Sequence, residues 1–195
     1  MSDWPHCTLV LGGARSGKSG FAQNRAEALA GPQTELIYLA TAQGLDSEMQ
    51  ARIAHHQTQR DARWRLHEEP LLLAAALQQH NQAHKVILLD CLTLWLSNAL
   101  LADGMQDDSA PWRLPARYLQ QRAALLDQLG QMQARVILVS NEVGMGITPL
   151  SALARCFVDE AGRLHQALAA HCAQVYWVVA GLPQCLKGAG HRQAD

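Results

Sequence analysis

A single α/β domain built on a mainly parallel sheet is the fold class this sequence predicts, and three observations predict it. Short β-branched or Leu-rich runs recur at residues 7–11, 35–40, 86–89, 136–140 and 175–179. Longer Ala/Leu/Gln/Arg stretches with helical periodicity separate them. The runs Val86-Ile87-Leu88-Leu89 and Val136-Ile137-Leu138-Val139 are continuously apolar and do not alternate, as expected of strands covered on both faces. With 195 residues, 49% of them hydrophobic and 17% charged, the chain can bury a substantial core, and residues 1–195 read as one domain.

The first apolar run leads into Gly12, Gly13, Ala14, Arg15, Ser16, Gly17, Lys18 and Ser19, and a helix-compatible stretch begins near Gly20. Strand, Gly-x-x-x-x-Gly-Lys-Ser, helix is the context of a phosphate-binding loop. The turn aims consecutive backbone N–H groups at phosphate oxygens, Lys18 adds a cation, and Ser19 offers a hydroxyl to Mg²⁺. A nucleoside triphosphate is therefore the expected ligand. In an open parallel sheet ligands collect beyond the carboxyl ends of the strands. Three further stretches fall there: Thr41, Ala42 and Gln43 after the second run, Asp90 after the third, and residues 141–146 after the fourth.

From Asp46 toward Trp64 the sequence reads as a polar helix, with Ser47 and Gln50 at capping-box spacing. Glu48, Arg52, His56 and Arg60 share one face at four-residue spacing, and the neighbouring His55 points roughly 100° away. Two flanking guanidiniums favour a neutral imidazole at His56, and a neutral imidazole is a nucleophile able to attack phosphorus. A solvated polar helix with an incidental histidine pair fits the same spacing. Asp90 likewise has two readings: a carboxylate that holds Mg²⁺ or its water shell beside the phosphate loop, or the cap of a helix starting near Cys91. The helix of residues 92–101 with Trp95 reads as core or interface, residues 102–115 as a surface excursion, and the residues after Gly188 as a frayed tail. The 141–146 loop has a site position, yet its glycines also suit a plain turn.

A net charge of −1 with nine histidines gives no basic field, which disfavours a protein that grips nucleic acid. Cys7, Cys91, Cys156, Cys172 and Cys185 are odd in number, widely spaced and without a Cys-x-x-Cys pair, so neither a disulfide framework nor a zinc site is expected. His6, His80, His84, His165, His171 and His191 are not read as a structural metal site. The first residues carry no positive n-region and no run has bilayer length, so a cytoplasmic location without membrane insertion is expected.

Several stretches together resemble one family, the bifunctional adenosylcobinamide kinase/adenosylcobinamide-phosphate guanylyltransferases of cobalamin biosynthesis. They are the phosphate loop at 12–19, Tyr-Leu-Ala-Thr-Ala at 38–42, Glu-Met-x-x-Arg-Ile-x-x-His at 48–56 continuing to Arg60, Trp64 and Glu68, Asp-Cys-Leu-Thr-Leu-Trp-Leu-Ser-Asn at 90–98, and Asn-Glu-Val-Gly-Met-Gly-Ile at 141–147. The resemblance implies a recombinase-ATPase-like P-loop NTPase fold, often a homo-oligomer. It implies phosphorylation of the aminopropanol hydroxyl of adenosylcobinamide by ATP or GTP, then transfer of GMP from GTP through a histidine-bound GMP, with release of pyrophosphate. Matched residue by residue, it places the covalent histidine at His56, with Lys18 catalytic in the phosphate loop. Residues 12–19, Thr41, Ala42, Gln43, Gln57, Thr58, Gln59, Arg60, Glu68 and Asp90 fall at the nucleotide, with Mg²⁺ on Ser19 and Asp90. This chain departs from the family pattern at Leu66 and His67, at His165-Gln166 where Asn-Gln is usual, and at Thr148. Two rivals use the same phosphate loop: a simple small-molecule kinase with no covalent intermediate, and a DNA-binding recombinase-like ATPase, which the charge balance disfavours.

Overall fold

The computed structural model describes residues 4–42, 63–104 and 113–188. Within them the chain runs β1 (Trp4–Gly12), α1 (Lys18–Ala28), β2 (Glu35–Ala40), β3 (Trp64–Glu68), α2 (Leu73–Gln79), β4 (Lys85–Asp90), α3 (Leu92–Leu101), α4 (Ala116–Gly130), β5 (Arg135–Asn141), α5 (Ala152–His171), β6 (Cys172–Val179) and β7 (Leu182–Lys187). The strands form one seven-stranded sheet in the order β3-β2-β4-β5-β1-β6-β7. Every neighbouring pair is parallel except β6 and β7. The five expected strands are all present, four of them longer by a residue or more than their apolar runs.

Side-chain alternation along these strands builds two cores. Leu9, Ile37, Leu39, Ile87, Leu89, Val136 and Leu138 point to the face covered by α2, α3, α4 and α5. Val10, Leu36, Tyr38, Leu88, Ile137 and Val139 point to the other, where α1 packs through Ala22 and Ala26. These two alanines, four apart, let α1 lie close to the sheet, which seats the phosphate loop hard against the β1 end. Trp95 is fully buried and its indole N–H donates to Leu71 O at 2.9 Å, so α3 is a core helix, one of its two expected roles. Ser151 caps α5 by accepting the Ala154 N–H at 3.1 Å.

Two strands were not expected. Trp64, placed by the sequence reading at the far end of a helical segment, instead opens β3, an edge strand whose Arg65, His67 and Glu68 give it a polar pattern. The antiparallel β7 turns back from β6 through Ala180 and Gly181, both at positive φ (51° and 80°), a two-residue hairpin turn. Ala-Gly is a weaker written signal than Asn-Gly, and Pro183 further masks the strand. The helix expected from Asp46 lies outside the described residues as far as residue 62. So do residues 105–112 of the excursion and the tail from residue 189.

Candidate functional site

The parallel register brings the chemistry-bearing residues to one edge of the sheet. Gly12 stands opposite Asn141, Asp90 opposite Val139 and Ala40, and Glu68 opposite Ala40. Between Gly12 and α1 the backbone turns sharply: Ser16 N–H donates to Gly13 O at 3.3 Å, and Arg15 and Gly17 both take positive φ (55° and 90°). Gly12 has no room for a side chain, since a Cβ there would sit 2.5 Å from Val178 O. The hairpin turn braces the loop from the β6 side, with the Gly181 N–H donating to Ser16 O at 2.8 Å.

Lys18 is almost closed off from solvent (8% exposed), and its ammonium donates to Gly13 O at 3.2 Å. It folds back along the loop, where a phosphate oxygen is the natural replacement for that carbonyl. Ser16 Oγ is buried without a hydrogen-bond partner. A buried hydroxyl with nothing to bond is costly, and a phosphate oxygen would satisfy it. The first turn of α1 carries no acidic residue, so the positive end of its dipole is unopposed.

Asp90 is the sheet-end carboxylate next in importance. Helix α3 is capped by Cys91 without a side-chain hydrogen bond, which removes the capping alternative for Asp90. Its Oδ2 instead accepts the Tyr38 hydroxyl at 3.0 Å, an orienting contact that no sequence motif announced. Buried Cys91 registers both charges of the site. Burial first and Asp90 second push its thiol pKa up, while Lys18 pulls it down. Lys18 and Asp90 thus act on one neighbourhood.

Thr41 has a structural role at this edge. It is fully buried, its hydroxyl donates to Cys91 O at 2.7 Å and accepts the Cys91 N–H at 2.9 Å, and its carbonyl accepts from Asn98 at 3.0 Å. Its side chain ties the β2 end to the residue after β4, and Ala42 follows it at the edge. Glu68 is exposed at the end of β3. Gln43, His55, His56, Gln57, Thr58, Gln59 and Arg60 lie outside the described residues.

The sequence reading missed two side-chain groups. Beside Gly12, Ser140 Oγ lies 2.7 Å from Nε2 of buried His165, whose Nδ1 lies 3.8 Å from Glu142 Oε2. Burial lowers the His165 pKa, against the opposing pull of Glu142. Far along β3, His67 Nδ1 and His80 Nε2 meet at 2.8 Å in a cavity of about 340 Å³ that also touches Glu35 and Lys85. Both groups join residues distant in sequence, so only the fold could reveal them. Among the described residues no cluster of three or more His, Cys, Asp or Glu is arranged to hold a metal ion, and no helix is long and apolar enough to cross a membrane.

Comparison with known proteins places this edge in context. The family model described as cobinamide kinase / cobinamide phosphate guanyltransferase matches residues 8–186. The bifunctional adenosylcobalamin biosynthesis protein CobP of Pseudomonas aeruginosa is 51% identical over 180 residues, 92% of this chain and 96% of that one. The bifunctional protein CobU of Escherichia coli is 42% identical over 177 residues, 89% of this chain and 96% of its own. Among solved structures, the flagellar accessory protein FlaH of Methanocaldococcus jannaschii superposes with a TM-score of 0.51 at 11% identity, over 97% of this chain and 83% of that one, a likeness of fold.

Proposed function

The chain belongs to the cobinamide kinase / cobinamide phosphate guanyltransferase family, and from that premise we propose how its residues carry two transfers. The chain is a bifunctional enzyme of cobalamin biosynthesis, a kinase on cobinamide and a guanylyltransferase on the phosphate it makes. The geometry at Lys18 supports the assignment of the triphosphate to residues 12–19, above all the orphaned hydroxyl of Ser16 inside the loop.

In the kinase step Lys18 and the loop N–H groups hold the phosphates of ATP or GTP, and positioning with charge neutralisation supplies most of the catalysis. The hydroxyl of Ser19 and the carboxylate of Asp90 are hard oxygen donors that suit Mg²⁺, which when bound would neutralise charge on the phosphate oxygens. Tyr38 fixes the Asp90 carboxylate for that role.

In the guanylyl step His56 attacks the α-phosphorus of GTP. The bond to the departing pyrophosphate breaks, and the GMP carried on His56 is then taken by the cobinamide phosphate. Splitting the displacement lets pyrophosphate leave before the bulky acceptor must fit. Arg52 and Arg60, at four-residue spacing on either side of His56, supply charge to the phosphorus in flight. Gln43, Gln57, Thr58, Gln59, Arg60 and Glu68 complete the nucleotide contacts in this reading.

The test is to incubate the protein with Mg²⁺ and GTP labelled at the α-phosphate, denature it and look for bound label. Label that is lost in acid and absent from His56→Ala supports the covalent step. GTP binding without label would leave a kinase with some other route to guanylyl transfer. Assembly as a homo-oligomer belongs to the same proposal, and light scattering reads it directly.

A further inference from the structure

The loop from Glu142 to Leu150 joins β5 to α5 and is fastened to the phosphate loop at its first residue, since the Glu142 N–H donates to Gly12 O at 3.0 Å. Ser140 and Glu142, two residues apart, leave β5 on one face, and both reach His165 of α5. The tautomer that keeps its proton on Nδ1 turns that N–H, and not a lone pair, toward the Glu142 carboxylate and leaves Nε2 to accept from the Ser140 hydroxyl. The other carboxylate oxygen accepts the Gly144 N–H at 2.6 Å. The Gly144 hydrogen bond thus orients a side chain that is still 28% exposed, with the His165 ring beside its other oxygen.

Sheet order decides which acid can serve the acceptor. Glu68 ends β3, four strands from the phosphate-loop strand, and Asp90 ends β4 and is held by Tyr38. Glu142 follows β5, the immediate neighbour of β1, and has no part in the nucleotide or Mg²⁺ contacts proposed above. The same loop then carries Met145, Ile147 and Leu150 with 73, 99 and 97% of their surface exposed. Apolar side chains this open, on a loop fastened to the phosphate loop at its first residue, suit a contact surface, and the acceptor of a cobinamide kinase is a large, partly apolar ring.

Resting on the kinase reading, we propose that this loop is the acceptor wall of the phosphorylation site, with Glu142 the general base for the cobinamide hydroxyl and Met145, Ile147 and Leu150 the seat of the corrinoid. The hydroxyl O–H bond breaks and its proton passes to Glu142, while the hydroxyl oxygen bonds to the γ-phosphorus. The bond from γ-phosphorus to the bridging oxygen breaks, and its electron pair stays on the departing nucleoside diphosphate. His165 is a positioning residue that acts through Glu142.

Steady-state phosphorylation of adenosylcobinamide by the full chain tests this. Glu142→Gln should lower kcat by about 10²-fold or more, the usual scale of a lost base, with the KM for triphosphate within about threefold and partial recovery in Glu142→Asp. The pair Ile147→Ser with Leu150→Ser should raise the cobinamide KM roughly tenfold, as two lost apolar contacts would. A Glu142→Gln enzyme with kcat near wild type overturns the assignment, as does one whose loss tracks falling triphosphate affinity, the mark of a mere brace. An unmoved cobinamide KM in the double variant overturns the seat. Should Glu142→Gln fail to fold, His165→Gln must lower kcat without moving the triphosphate KM, and an unchanged kcat counts against the proposal. Wild type that binds GTP but phosphorylates no cobinamide would overturn the kinase reading itself.

Discussion

Lys18 sits in near-closed surroundings, with its Nζ donating to the Gly13 carbonyl. Lys18→Ala removes the cation aimed at the transferring phosphate, so kcat/KM for phosphorylation should fall by about 10²-fold or more, a loss typical of a single preorganised charge-stabilising group. A steady-state assay at saturating Mg²⁺ checks it. His165 gives a prediction of another kind. Its folded pKa lies below the ordinary histidine value, chiefly because burial penalises the imidazolium. The unfolded chain therefore binds more protons as pH falls through the ordinary histidine range, and the stability this residue contributes is present above that range and lost below it. Thermal melts from pH 8 to 5 should show a decline beginning near pH 6.5, the ordinary histidine value, and His165→Gln should flatten it. An equal decline in the variant would move the effect to other groups. Lys18 and Asp90 were legible because a linear motif and an apolar run end in them. Tyr38, Ser140 and His165 were not, because their partners lie 52 and 25 residues away and meet only through sheet register.

The elements are legible to the extent that burial writes them. Strands β1, β2, β4, β5 and β6 occupy the middle of the sheet and read as apolar runs, whereas β3 and β7 are the edges and carry no such signature. Those edges nevertheless shape the site, since the turn into β7 braces Ser16. Three glycine substitutions rank its tolerance. Gly12→Ala should cost most, because its Cβ would meet backbone at Val178 O, which cannot move aside without shifting β6. Gly17→Ala combines a φ of +90° with a Cβ 3.0 Å from Gly181 Cα, and its backbone conformation alone costs roughly 1–2 kcal/mol. Gly13→Ala meets nothing within 4 Å and has no positive φ, so stability should be kept. Urea midpoints should fall in that order, and a Gly13→Ala variant as unstable as Gly12→Ala would show that the loop conformation differs from the one described.

At the scale of the whole molecule, one sheet edge gathers phosphate loop, Asp90 and Glu142 because all strands between them run parallel and end together. The cost is an edge with an unpartnered buried hydroxyl and an unopposed helix dipole, both of which a bound triphosphate would relieve. Nucleotide should therefore stabilise the fold by mass action. At a free GTP concentration about 100 times Kd the gain is about 2.7 kcal/mol, and for a domain of this size that corresponds to a rise in Tm of roughly 5–11 °C. The rise should require Lys18, so Lys18→Ala should melt at nearly the same temperature with and without GTP. Its Mg²⁺ dependence is the sharper part of the prediction. If Asp90 and Ser19 hold the ion, chelation should shrink the shift in wild type, whereas Asp90→Asn should show a small shift that chelation hardly alters. A full GTP shift in wild type without Mg²⁺ would mean that the loop alone accounts for the affinity, and that the carboxylate held by Tyr38 serves the transfer and not the binding.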